Sequence, residues 1–403
     1  MNPWSSLKGL PREIWVLCAT TLTNRVGTMV LPFLVLYLTR ALGLSPGRAG
    51  FVVTVYGLVA MVTGPLAGRL SDRVGALRVM KTSLLLSGLV LIAFPLARSY
   101  GAVLLAAAVL ALVNEAYRPA GLSTLTALTA PHQRRPAFAL NRLAVNLGMS
   151  VGPAAGGILA GISFTALFWV DGITSFLAAA VLILSPWRSA AGRPAPSLRP
   201  GQEVARTRHP LRDGRYLLFL AAFLPSLLVF FQLESTYPLH LVGVLGLPPA
   251  AFGFLLTLNT ALILLFEVPL NAAMAAWPYN RALPAGALLC AAGFGSTALA
   301  TGPLTAAAGV ALWTFGEMIL LPGTSACAAD MAPESRRGEY MGLYVMTFSL
   351  ALATAPWAGA VVLERLGPGV LWSAAAGLGL LSAVLLAFLR FGRPLANGGQ
   401  APE

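Results

Sequence analysis

The chain has 403 residues, 57% of them hydrophobic and only 10% charged, with a mean hydropathy of +0.77. A soluble globular domain carries about 25% charged residues, so this composition sets aside a soluble fold and indicates an all-α protein that crosses a bilayer many times. The net charge of +13 is accounted for by the distribution of arginines between loops, described below, and calls for no nucleic-acid partner.

A spanning helix needs about 20 mostly apolar residues. That window predicts twelve, near 14–39, 49–70, 78–97, 102–129, 138–160, 164–184, 215–241, 250–275, 282–300, 304–329, 339–363 and 369–390, numbered here helix 1 to helix 12. The first apolar run continues to about Tyr37, too long for the core of a cleavable signal, and reads as a span. The one sizeable hydrophilic interruption, 185–214, is rich in Pro, Ser and Arg and reads as a linker. It divides the chain into an N-terminal bundle (1–184) and a C-terminal bundle (215–403) of six helices each. Of the 27 lysines and arginines, twenty fall in the termini, the linker with its border residue Arg215, and the loops on the same side. Only Arg40, Arg48, Arg98 and Arg365 fall in loops on the other side. By the positive-inside rule both termini are cytoplasmic.

Between helices 2 and 3 lies Gly68 to Lys81, GRLSDRVGALRVMK, a charged bridge short enough to be a tight turn at one membrane face. Its Gly68, Leu70, Asp72, Arg73, Gly75 and Arg78 resemble the signature loop of the major facilitator superfamily; Ala76 departs from it, standing where the family usually has a base. The two halves also repeat at an offset of 202–203. LGLSP at 42–46 returns as LGLPP at 245–249, Glu115 as Glu317, Pro119 as Pro322, and APHQRR at 130–135 as APESRR at 332–337. The resemblance implies the major facilitator fold, two six-helix bundles in pseudo-twofold repeat. For Asp72 it implies a gating role, through contacts of the loop with the other half.

In helix 5, Gly148, Gly152, Pro153, Gly156 and Gly157 resemble the antiporter motif of bacterial drug–proton exporters, although the distal Gly of that pattern is Ala139 here. Small residues four apart form a groove for a neighbouring helix backbone. Arg25, Glu115, Arg118, Asp171, Glu234, Glu267 and Glu317 all fall at membrane depth. Each costs about 2.5–3.5 kcal/mol if left unpaired at the centre of a bilayer, so they are expected to pair or to line a wet cavity. The resemblance places Arg25, Glu115 with Arg118, Glu234 and Glu317 on the cavity helices 1, 4, 7 and 10. Spacing places Glu115 and Arg118 three residues apart on one helical face, where Arg118 and Arg25 are expected to hold Glu115 ionised. Glu317 has no basic neighbour in its helix, which makes it the leading candidate for an exchangeable proton. Asp171 reads as a cap or packing group.

The cysteines, at 18, 290 and 327, have no metal-ligand spacing, and no metal, nucleotide loop or other cofactor is expected. The resemblance thus implies a monomeric secondary transporter of the bacterial inner membrane, exporting small amphipathic molecules against protons. A proton-coupled importer of peptides or other small metabolites remains the alternative, and a non-transporting receptor or scaffold a more remote one.

Overall fold

The computed structural model describes residues 9–130, 133–187, 209–274, 277–333 and 336–389. The linker core and the side chain of Asp72 therefore lie outside the described residues. Helices begin where the sequence supplies caps: Ser45, Ser99, Ser163 and Asp213 accept hydrogen bonds from first-turn amides, and Pro46, Pro249 and Pro303 occupy first helical positions.

In chain order the spans are helix 1 (Arg12–Gly27 and Val30–Arg40), helix 2 (Pro46–Val74), helix 3 (Ala76–Ala93, then Phe94–Leu96), helix 4 (Tyr100–Asn114 and Tyr117–Leu128), helix 5 (Arg134–Ile162) and helix 6 (Phe164–Leu184). The second half holds helix 7 (Gly214–Phe230, with the turns Phe231–Glu234, Thr236–Leu239 and His240–Val244), helix 8 (Pro249–Ala273), helix 9 (Tyr279–Gly295), helix 10 (Pro303–Met331) and the run Arg337–Phe388. That last run has 52 residues, about 78 Å at 1.5 Å per residue, more than twice a hydrocarbon core of about 30 Å. It reverses at Gly367, whose φ of 85° and ψ of 171° no helix tolerates, and so comprises helix 11 (337–366) and helix 12 (368–388). The twelve predicted spans are all present; the loop expected between the last two is a single glycine kink.

Three helices break in mid-membrane for one reason. A proline lacks the N–H that would bond the carbonyl four residues back, and its ring crowds that carbonyl. Pro32, Pro119 and Pro238 thus disrupt helix 1 at Thr28, helix 4 at Glu115 and helix 7 at Glu234, where the regular segments end. In helix 10 the carbonyl of Met318, freed by Pro322, accepts from Asn271 Nδ2 at 3.2 Å, and the helix stays continuous. The break in helix 1 exposes the amides of Met29 and Val30, which donate to Asp171 Oδ2 of helix 6 at 3.1 and 3.0 Å. Asp171 is thus the cap expected of it, within the span.

The bundles meet along two seams, helix 2 against helix 11 and helix 5 against helix 8. A side chain at Gly50 would come within 2.7 Å of Pro356 O, and one at Gly157 within 2.8 Å of Pro249 O, so only glycine permits these backbones to touch. On the face opposite the linker, both halves contribute to one apolar core that includes Phe33, Tyr37, Val53, Tyr237, Phe252 and Trp372. Two polar bonds cross there as well: Arg40 Nη2 donates to Val242 O, and Glu364 Oε2 accepts from Gly47 N, both at 2.7 Å. On the linker face each half has its own core, one around Leu17, Met80 and Leu182, the other around Phe219, Tyr340 and Leu386. Among the described residues the bundles are closed on the far face and parted on the linker face.

Candidate transport site

The broken helices bring Arg25, Glu115 and Glu234 to backbone interruptions near the middle of the membrane, a depth at which irregular backbone is tolerated only where protein or a cavity surrounds it. Arg25 precedes the helix 1 break and is half-buried; its Nε is enclosed and has no hydrogen-bond partner. Gly148 and Gly152 of helix 5 lie against the Arg25 backbone, and Gly156 against Met29. These three glycines of the helix 5 motif seat the broken segment of helix 1. Gly157 turns instead to helix 8 of the other bundle, where the Pro153 carbonyl meets Gly253. The motif is a double packing surface, clasping helix 1 within its own bundle and helix 8 across the seam.

Glu115 accepts a 2.8 Å bond from Tyr56 Oη, which itself accepts from Asn114 Nδ2 at 3.1 Å. The expected pairing of Glu115 with Arg118 or Arg25 is not formed: neither arginine makes an ion pair with it, and Arg118 is exposed. The reason is the break itself. Three-residue spacing puts two side chains on one face only in an unbroken helix, and the kink imposed by Pro119 falls between them. Glu234 lies close enough to Glu115 for the two charges to repel, and its Oε2 is enclosed without a hydrogen-bond partner.

Glu317 is half-buried in the continuous helix 10. Its Oε2 accepts from Asn259 Nδ2 of helix 8 at 2.9 Å, and the same amide nitrogen lies 3.0 Å from Thr314 Oγ1. No described cation pairs with Glu317. Glu267 stands near enough on helix 8 to act on it electrostatically and is itself bridged to Arg142 of helix 5 across the seam. Arg142 is a group that composition and spacing did not single out. Its signal was present, an arginine deep in an apolar helix facing the bundle that holds most of the acids.

The repeat organises these contacts. Tyr56 and Asn259 are 203 residues apart, the offset that relates the halves, and each donates to the glutamate of its own half. The remaining charges at membrane depth break the symmetry: the N-terminal bundle supplies Arg25, Arg118 and Arg142 with Asp171, the C-terminal one only the acids Glu234 and Glu267. Of the other aromatic and Met residues on these helices, Tyr37, Trp313, Met318 and Tyr344 are buried packing groups. Phe230 and Phe231 stay half-buried beside the helix 7 break.

The loop between helices 2 and 3 makes its turn at Gly75, with φ of 93° and its amide on Ser71 O. Gly68 faces open space, and Arg73 and Arg78 are exposed, as they must be when the linker face is parted.

A twelve-helix repeat with broken helices, glycine seams and unpaired midplane carboxylates is the arrangement of a secondary transporter, and the sequence matches the Major Facilitator Superfamily over residues 16–252 and 234–403. The chain belongs to that superfamily. It is 25% identical over 397 residues to the uncharacterized MFS-type transporter YqjV of Bacillus subtilis, covering 96% of this chain and 95% of the relative. It is 23% identical to a Na(+), Li(+), K(+)/H(+) antiporter of Planococcus maritimus, over 81% of this chain and 84% of that one. Among solved structures it superimposes on a peptide transporter POT in complex with sulfate, with a TM-score of 0.78 at 18% identity, covering 96% of this chain and 97% of that one. At that identity the likeness is one of fold. As a member of this superfamily the chain is a multi-pass membrane transporter of small molecules and not an enzyme.

Proposed function

We propose that this transporter is a proton-coupled exporter of small amphipathic molecules, with Glu317 as the group that exchanges the proton. The observation that carries this reading is the setting of Glu317. It is a carboxylate in mid-helix held by a neutral amide, with no described cation to keep it charged, below a closed far face and towards a parted linker face. A carboxylate so placed changes protonation as its surroundings wet and close, and that alternation is what coupling to a proton gradient requires. Glu115 of the N-terminal bundle and Glu234 of the C-terminal one share the cavity as its acids, while Arg25 and Arg118 of the N-terminal bundle supply positive charge. We place the linker face in the cytoplasm on the bias of lysine and arginine, so the form described here is inward-open. In this scheme residues 1–184 and 215–403 rock about the two seams, and Asp72 and its loop engage the other bundle only when the linker face closes. The helix 5 motif and the proton-exchanging relative favour export over the importer.

The test is Glu317→Gln in proteoliposomes carrying a fluorescent lipophilic cation as probe. The variant should fail to concentrate the probe against its gradient when a pH gradient is imposed, yet still equilibrate it. Glu115→Gln should instead weaken probe binding. Concentrative transport and proton movement that survive Glu317→Gln would refute the assignment. Accumulation of the probe in the direction in which protons flow would favour the importer.

A further inference from the structure

Helix 8 touches both the proposed proton carrier and the opposite bundle through polar bonds at the same level. Asn259 Nδ2 donates to Glu317 Oε2 at 2.9 Å. Two residues earlier, and so on the opposite side of the helix, Thr257 Oγ1 donates to Ser150 O of helix 5 at 2.7 Å. One turn further up, Gly253 lies directly on the Pro153 carbonyl, and towards the linker face Glu267 bridges to Arg142. Helix 8 therefore follows helix 5 of the other bundle along this seam, while its inner side holds the Glu317 carboxylate.

The arrangement belongs to the fold and is not one chance contact. The repeat-equivalent Tyr56 donates to Glu115 in the same manner, and its neighbour Gly57 packs on the helix 11 backbone, with a hypothetical Cβ 3.0 Å from Ala353 N. The two donors differ in chemistry. Tyr56 is a hydroxyl buried to 1% exposure, whereas Asn259 is a neutral amide shared between Glu317 and Thr314. The other titratable groups around Glu317 are Glu267, already bridged to Arg142, and the Cys290 thiol of helix 9. None of these is a hydrogen-bond donor to its carboxylate.

We propose that Asn259 is the positioning residue through which the seam between helices 5 and 8 controls the protonation of Glu317. An N–H donated to a carboxylate favours its charged form. As the bundles rock, the bonds that tie helix 8 to helix 5 shift helix 8 relative to helix 10 within its own bundle; the amide then leaves the carboxylate and Glu317 takes up a proton, and when the amide returns the proton is released. This inference rests on the reading of Glu317 as the proton carrier.

The experiment compares wild type, Asn259→Leu, Asn259→Asp, Thr257→Val and Glu317→Gln in proteoliposomes, recording gradient-driven transport of the lipophilic cation across pH. Infrared titration of the protonated-carboxyl band is recorded on the same proteins. Asn259→Leu keeps the volume and removes the donor, so its pH profile and band midpoint should move upward by about one pH unit. Asn259→Asp adds a like charge and should move both further. Thr257→Val, which loosens the seam and leaves the amide in place, should move them the same way by less. Loss of packing alone would lower the rate without ordering the midpoints in this series. Profiles of both Asn259 variants that superimpose on wild type overturn the proposal, and an unmoved Thr257→Val overturns the link to the seam. The titrating band must vanish in Glu317→Gln. If it persists, the reading of Glu317 itself fails, an outcome distinct from failure at Asn259.

Discussion

Replacing Asp171 by alanine tests whether the mid-membrane break of helix 1 is held by a side chain of helix 6. In the native chain one carboxylate oxygen accepts from two consecutive amides, Met29 at 3.1 Å and Val30 at 3.0 Å, and Asp171 is 7% exposed. Without it both amides are buried with no acceptor, at about 1–3 kcal/mol each. Relief from burying a carboxylate offsets part of this, leaving a net loss of about 2–4 kcal/mol. At about 2–4 °C per kcal/mol for a unit of 150–250 residues, the N-terminal bundle should melt about 4–16 °C lower. Buried thiols provide the assay. Cys18 lies in the N-terminal bundle, and Cys290 and Cys327 lie in the C-terminal one, all three free and buried, so a thiol-reactive dye reports each bundle as it opens. In single-cysteine backgrounds Asp171→Ala should lower the labelling temperature of Cys18 more than that of Cys327. Asp171→Asn, which keeps an acceptor oxygen, should fall between alanine and wild type. Equal melting of Asp171→Ala and wild type at Cys18 would refute the argument, because two buried unpaired amides cannot be free of cost.

Two further perturbations address the seams. Gly50→Leu sets a side chain where even a Cβ would lie 2.7 Å from the Pro356 carbonyl, so it should force the far face open; spin labels at the exposed Leu96 and Leu304 should then report a longer distance, and an unchanged distance would show that the seam yields elsewhere. Arg142→Glu and Glu267→Arg should each reduce transport two- to five-fold, a modest effect because the Arg142 side chain is 61% exposed and solvent screens the pair. The double exchange should restore it, and failure to do so would mean that shape rather than charge matters at that point.

Much of this architecture could be read before any fold was known. Span length, loop charge and the repeat depend on composition along the chain, and a bilayer acts on composition directly: twenty apolar residues must cross it wherever their neighbours lie. The glycine motif of helix 5 was legible for the same reason, since small residues at helical spacing can only be a surface for close approach. Even the breaks were written in the chain, in prolines four residues beyond Thr28, Glu115 and Glu234, although spacing read without them suggested that Glu115 and Arg118 share a face. Only the tertiary structure decided which charges meet. Arg142 and Glu267, Asn259 and Glu317, and Asp171 and Met29 are separated by 125, 58 and 142 residues, on helices whose rotation about their own axes no local pattern specifies. It also decided that the far face is closed and the linker face parted. That choice lies in how two bundles of fixed sequence rest against each other, and a sequence that must serve both ends of a transport cycle is compatible with either.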